Sequence, residues 1–301
     1  MGRAVSACKY TPRTAALIPA ITLTAWLGDA QHALARVHVF SPAEARIEAH
    51  ALASYALGQP RVWLVAHGDE TLCAEWQQRL DAALARRLAG EPIAQIVGVR
   101  EFYGRDFKVT AAVLIPRPET EHLLEAALTQ WPAGARVALL DVGTGSGCVA
   151  ISLALERPEA EVTALDISPD ALAVAQENAR ALGAALRFVE GDLFAPLGGQ
   201  RFAGIVSNPP YIAAADPHLA QGDLRFEPAL ALASGVEGLD TIRRLIAAAP
   251  DHLVSGGWLM LEHGYNQGTA VRALLTQRGF VQVETQHDLA GLDRLSLGRW
   301  A

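Results

Sequence analysis

The stretch Val137-Ala138-Leu139-Leu140-Asp141-Val142-Gly143-Thr144-Gly145-Ser146-Gly147 decides the fold. Its first six residues are apolar but for one acid, which predicts a buried strand. The three alternating glycines let the backbone turn sharply and leave the main chain open to close approach by a ligand. A helix is expected to follow over 147–156. The next apolar run, Glu161–Ile167, carries Asp166 at its end, 21 residues after Gly145. A carboxylate there can accept hydrogen bonds from both hydroxyls of a ribose. The glycine turn alone is a weak signal; joined to the acid, it points to a cofactor bearing a nucleoside. A nicotinamide dinucleotide would prefer a third glycine at position 148, where the chain has Cys148. Cys148 reads as a small core residue at the helix start.

Downstream, strand and helix patterns alternate. Further strands are expected at Leu186–Gly191, Phe202–Ser207, Trp258–Glu262, Phe280–Gln286 and Arg294–Leu297, and helices over 169–182, 238–253 and 266–278. This order predicts an α/β fold with a mostly parallel sheet covered on both faces. The last two strands are joined by a turn around Gly291 with no helix between them, so the final strand is expected to run antiparallel. Asp192 ends the third strand. It is the natural group to meet an adenine amine, with a turn or cap role as the alternative.

Upstream, the pattern from Ile21 to Leu88 is helical. Thr24 is expected to cap a helix through Ala35, and Ser41-Pro42-Ala43-Glu44 is a capping box opening a helix that ends near Gly58. Asp69 is expected to cap a third helix, with Leu72, Trp76, Leu80, Leu84 and Leu88 on one face and Gly90 at its end. Glu91–Val113 reads as a hairpin linker around Gly98 and Gly104. Pro118 then stands early in a helix running to Gln130. Arg117 and Glu119 serve there either as cap and surface charges or in one wall of a cleft. The expected organisation is thus an N-terminal extension over 1–20, disordered, a small all-helical docking domain over 21–90, a linker over 91–113 and a catalytic domain over 114–301. Arg3, Lys9 and Arg13 with Pro12 and Pro19 make the first residues unlike a secretory signal. An upstream start codon accounts for them as well as an extension does, and a transit peptide is the weaker alternative.

The chain has 301 residues, 51% of them hydrophobic, and a formal charge of -7, so bulk charge does not announce a nucleic-acid binder. Three widely spaced cysteines, Cys8, Cys73 and Cys148, argue for a reducing compartment without disulfides and without a CxxC metal pattern. The scattered histidines His32, His38, His50 and His67 form no metal motif. No apolar run reaches the ~18 residues that span a membrane. A cytoplasmic monomer with no resident metal is expected.

The chemistry is expected in Ser207-Asn208-Pro209-Pro210-Tyr211-Ile212, at the end of the strand Phe202–Ser207. The residue before a proline is held extended, so Asn208 stands at the strand end with its side chain outward. Its amide both donates and accepts. Pro209 and Pro210 lack an N–H, and their carbonyls remain as acceptors on a stiff edge. Tyr211 adds an aromatic face. The set suits a planar group carrying an NH2, such as an amide or an exocyclic amine. The plain alternative is a strand followed by a Pro-Pro turn.

Asp141-Val142-Gly143-Thr144-Gly145-Ser146-Gly147, Asp166, Asp192 and Asn208-Pro209-Pro210-Tyr211 together resemble the class I S-adenosylmethionine-dependent methyltransferases. More narrowly, Glu91–Gly104, Leu114–Glu121, Asn208–Ile212 and Asp223–Pro228 resemble the PrmC/HemK family of protein-(glutamine-N5) methyltransferases. The likeness runs from Ile21 to Trp300. It implies a Rossmann-like seven-stranded sheet with an antiparallel last strand, and S-adenosylmethionine as cofactor, held by residues 143–147, Asp166, Asp192, Leu193 and Asn208. It further implies catalysis by Asn208, Pro209 and Tyr211, with Pro210 among the substrate-binding residues. The substrate would be the glutamine of the Gly-Gly-Gln motif in class-I peptide chain release factors, with a role in translation termination. Gln95 departs from the family's usual tyrosine, and Leu193 stands where some members carry an aromatic. The runner-up is an N6-adenine nucleic-acid methyltransferase, which would use the same tetrapeptide on a flipped base. It lacks support from any basic strip or target-recognition domain. Gly198-Gly199-Gln200 repeats the substrate tripeptide within the chain, but a turn before a strand explains it.

Overall fold

The computed structural model describes residues 21–37 and 40–301, and the extension expected over 1–20 lies outside them. The chain divides between Val97 and Gly98 into two compact units.

The first unit is helical: α1 Leu23–Val37, α2 Pro42–Leu57, α3 Arg61–Ala66, α4 Ala74–Leu88 and α5 Ile93–Val97. The capping box is complete, with the Ser41 hydroxyl accepting from the Glu44 N–H and the Glu44 carboxylate accepting from the Ser41 N–H at 2.8 Å. Gly58, at φ +64°, closes α2. Two expected caps are corrected. The Thr22 hydroxyl caps α1 by accepting from the Ala25 N–H at 3.2 Å, while Thr24 lies inside the first turn. The third long helix starts from Cys73 with no side-chain cap, because residues around Asp69 are taken up by a turn and by the bridge Thr22↔Thr71. Leu23, Leu34, Leu52, Leu57, Leu64 and Leu80 close the core of this unit. Each such side chain contributes about 1.5–3 kcal/mol on burial. The short helices α3 and α5 were not expected; α5 takes the first part of the segment read as linker.

The second unit opens with a hairpin, β1 Val99–Phe102 and β2 Arg105–Lys108. Its two-residue turn, Tyr103-Gly104, has both φ values positive, as the twist of a tight hairpin demands. A short 3-10 turn, Pro118–Thr120, leads into α6 Glu121–Gln130. Then follow β3 Ala138–Val142, α7 Cys148–Glu156, β4 Glu161–Asp166, α8 Pro169–Leu182, β5 Arg187–Glu190, β6 Phe202–Ser207, α9 Ala229–Leu232, α10 Asp240–Ala248, β7 Leu253–Glu262, α11 Gly268–Arg278, β8 Phe280–His287 and β9 Asp293–Trp300. Helix α10 stops short of the expected residue 253 because Pro250 turns the chain into a 3-10 coil, Ala249–His252.

The strands form one seven-stranded sheet in the order β5-β4-β3-β6-β7-β9-β8. The first five are parallel, and β9 runs antiparallel to both β7 and β8. Successive residues alternate between faces. Leu139, Val206 and Met260 pack with α6 and α7, whereas Leu140, Ile205, Leu259 and Leu261 pack with α10 and α11. After β3 the chain winds one way through β4 and β5, and from β6 it winds the other way. The reversal lies between β3 and β6, and in such sheets a crevice opens at the carboxyl ends of the strands at that point. Both stretches singled out in the sequence, the glycine turn and Asn208–Tyr211, leave the sheet there.

Candidate active site

The glycine turn is tied to its neighbouring strand. The N–H groups of Gly143 and Thr144 both donate to the Leu165 carbonyl, at 2.8 and 2.9 Å. Beneath the turn, the Thr144 hydroxyl donates to Asp141 Oδ2 at 2.7 Å. Asp141 is 2% exposed, and burial pushes its pKa up to about 7. Gly143 and Gly145 have positive φ, and a Cβ on either would meet open space, so the main chain there faces the cleft bare. Gly147 differs, since a Cβ would sit 2.7 Å from Ile151. The third glycine lets helix and turn pack together and does not face the cleft.

Asp166 ends β4. Its Oδ2 accepts from the Gly145 N–H at 2.8 Å and its Oδ1 from the Ser168 N–H at 2.9 Å. A carboxylate offers about four lone-pair directions, so acceptor capacity remains for a ligand. Burial raises its pKa, opposed by these backbone N–H groups. Ile167, half exposed beside it, and Leu193 add apolar walls. Leu193 holds φ +51°, a left-handed conformation that is strained for a leucine. Asp192 also lines the cleft, where its Oδ2 pairs with Arg244 Nη2 at 2.6 Å.

Asn208 lines the same cleft with Pro209 and Pro210. Its Nδ2 donates to the Thr120 hydroxyl at 3.0 Å. Among the described residues, no donor meets its Oδ1. Tyr211 is turned away from the cleft wall: its ring packs on the core and its hydroxyl donates to Glu262 Oε1 at 3.2 Å. Burial and the neighbouring Glu262 charge raise the pKa of the phenol.

The structure therefore brings Gly143, Gly145, Asp166, Asp192, Leu193, Asn208, Pro209 and Pro210 together around one cleft. It sets Thr144, Ser146, Gly147 and Tyr211 behind that wall, where Ser146 is 2% exposed and passes its carbonyl to Asn178 at 2.8 Å. Cys148 is buried, and its thiol pKa is pushed up to about 12. Several contributors were missed. Val113 and Leu114 form one side of the cleft, and Pro228, Leu230 and Ala231 another. Glu227, fully buried, ties these segments together by accepting from the Ile115 N–H at 2.9 Å and pairing with Arg117. Arg117 is thus a clamp on that wall. The proline after Glu227 was a visible signal of a fixed turn, but its partner 110 residues earlier was not.

These features fit a nucleoside-bearing methyl donor. Bare backbone at Gly143 and Gly145, spare lone pairs on Asp166, and apolar flanks at Ile167 and Leu193 match a ribose, a base and a chain between them. Comparison with known proteins bears on the class first. A methyltransferase from Pyrococcus furiosus superposes with a TM-score of 0.51 at 18% identity, over 73% of this chain and 98% of that one, and shares the fold. Residues 119–225 match the Methyltransferase small domain model, and residues 25–98 match the PrmC N-terminal domain model. Fold and site together define a class I methyltransferase. The release factor glutamine methyltransferase of Neisseria gonorrhoeae is 53% identical over 85% of this chain and 93% of its own length. Those of Burkholderia pseudomallei and Escherichia coli are 52% and 46% identical, over 86% and 85% of this chain and 93% and 92% of their own lengths. The chain belongs to the release factor glutamine methyltransferase family.

Among the described residues, no helix is long and apolar enough to cross a membrane.

Proposed function

We propose that this protein transfers a methyl group from S-adenosylmethionine to the side-chain amide nitrogen of the glutamine in the Gly-Gly-Gln motif of class-I release factors, and so supports translation termination. The observation that carries the reading is the amide of Asn208, anchored through Nδ2 on Thr120 with its Oδ1 left for a ligand, beside the bare glycine turn and Asp166. The names of its relatives agree with this substrate class.

S-adenosylmethionine, when bound, supplies a methyl carbon already activated by its sulfonium. Gly143 and Gly145 admit the donor to the main chain, and Asp166 accepts from its ribose. Ile167 and Leu193 would offer apolar flanks to its base, and Asp192 would offer a carboxylate to the adenine amine. The substrate nitrogen is a poor nucleophile, because its lone pair is delocalised into the carbonyl. Asn208 Oδ1 and the Pro209 carbonyl accept its two N–H bonds, orient it, and stabilise the positive charge that builds on nitrogen during attack. Pro210 stiffens that edge. Tyr211 supports it from behind through Glu262. The surplus proton leaves to water. The helical unit contributes docking of the release factor, and the protein acts as a monomer in the cytoplasm, where its substrate works.

A competition assay tests this. A release factor and an adenine-rich duplex DNA are offered together with methyl-labelled S-adenosylmethionine. Label should enter the protein alone. Label in the DNA would favour exocyclic adenine as the substrate and overturn the reading.

A further inference from the structure

Pro209 and Pro210 leave the Asn208–Tyr211 edge with few soft torsions, because each ring fixes its φ at about −65°. The direction of the carbonyls between them is then set by how the two ends of the stretch are tied. At the front, Asn208 is tied to the Thr120 hydroxyl. At the back stands the Tyr211 carbonyl, and a side chain 56 residues further along the chain holds it.

That side chain is Gln267, at the start of α11 and 8% exposed. Its Nε2 donates to the Tyr211 carbonyl at 3.0 Å and to the Glu237 carbonyl at 3.3 Å. Its Oε1 accepts from the Gly264 N–H at 2.9 Å. A carbonyl only accepts and an N–H only donates, so these main-chain groups decide which way round the amide lies. Gly238 shows how closely the contact is built. It holds φ +73°, and a Cβ there would lie 2.2 Å from the Tyr211 oxygen and 2.9 Å from Gln267 Nε2. A residue without a Cβ lets the turn at 235–238 close over this carbonyl. The next residue is tied as well. The Ile212 N–H donates to the Leu232 carbonyl, and the Ile212 carbonyl accepts from the Ser234 N–H, both at 2.9 Å. Gln267, Gly238 and Ile212 stand behind the residues that line the cleft, so what they do there runs through the main chain of the edge.

Resting on the function proposed above, we propose that Gln267 is a positioning residue for methyl transfer: by holding the Tyr211 carbonyl under the Gly238 turn, it sets the direction of the Pro209 carbonyl, the second acceptor for the substrate nitrogen. With Asn208 tied at one end and Tyr211 at the other, the two prolines cannot swing, and both acceptors stay aimed at one nitrogen.

The test is single-turnover methyl transfer to a release factor at saturating S-adenosylmethionine. Release-factor KM, cofactor Kd by calorimetry and folding by thermal melt are measured beside it. Gln267→Met keeps the length of the side chain and removes both donors. It should slow transfer by about tenfold, the order of one lost hydrogen bond, with KM and Kd within about twofold of wild type. A general loosening of the fold would disturb KM and Kd together with the rate. Gly238→Ala pushes on the same carbonyl and should give the same pattern. Because both act through Tyr211, the double variant should be at most about threefold slower than the slower single variant. A Gln267→Met rate within twofold of wild type would overturn the inference, as would a loss carried by KM or Kd with the rate kept. Losses that multiply in the double variant would overturn it as well. Should Gln267→Met fail to fold, Gln267→Asn, whose amide is one methylene short of the carbonyl, and Gly238→Ala decide alone. If Asn208→Ala itself transfers normally, the proposed function fails; if it is slow and Gln267→Met is normal, only the role of Gln267 fails.

Discussion

At the scale of single residues, the two decisive groups sit at strand ends and differ in what surrounds them. Asn208 faces the cleft and packs against little, so truncating it removes a contact without opening a core. Asn208→Ala should keep the melting temperature and cofactor affinity while slowing single-turnover transfer by about 10²–10³, the usual cost of one preorganised donor or acceptor. Stopped-flow or quench kinetics on the folded variant would read this. Asp141 is the opposite case. It is sealed under the glycine turn, and its pKa is raised from 3.8 to about 7, so the folded state holds its proton more tightly than the unfolded chain does. Its contribution to stability is therefore full below about pH 4 and is lost as pH rises through about 7. Asp141→Asn should flatten that part of the profile. Melts of both proteins across this range would show the melting temperature of wild type falling relative to that of the variant as pH rises. Equal slopes would remove Asp141 from the account.

At the scale of elements, the strands of the parallel sheet were legible because each is a short apolar run closed by glycine, acid or proline, whereas their order in the sheet comes from the fold. The glycine turn and Asp166 were legible for the same reason, since local spacing defines them. Helices α3 and α5, of six and five residues, were not, because so short a run shows no period. The supports of the site were also hidden. Thr120 precedes Asn208 by 88 residues, and Glu262 follows Tyr211 by 51, so only the folded sheet brings them together. Tyr211 looked like a platform for substrate because aromaticity is visible in sequence and direction is not. Gly204 in β6 carries a similar lesson. It reads as an unremarkable strand glycine, yet a Cβ there would lie 2.0 Å from the Trp131 ring. Gly204→Ala should destabilise the protein by about 1–3 kcal/mol through overpacking, measured by denaturant unfolding. Cofactor affinity at the far end of the strand should hold. An unchanged midpoint would mean that Trp131 can move aside.

At the scale of the whole molecule, a helical unit of the PrmC N-terminal type precedes a methyltransferase unit, and relatives of about half identical sequence match over most of their length. The charge of -7 suits a protein acceptor better than a phosphate backbone. The reading as a glutamine methyltransferase rests on one arrangement, an amide oxygen offered beside a nucleoside site, and one measurement addresses it most directly. The protein is incubated with S-adenosylmethionine and a class-I release factor, and the modified residue is located by fragmentation mass spectrometry. The account predicts a single added methyl on the side-chain nitrogen of the Gly-Gly-Gln glutamine, absent when Asn208→Ala enzyme is used over the same interval. A methyl on any other residue, or equal methylation by the Asn208→Ala enzyme, would contradict it.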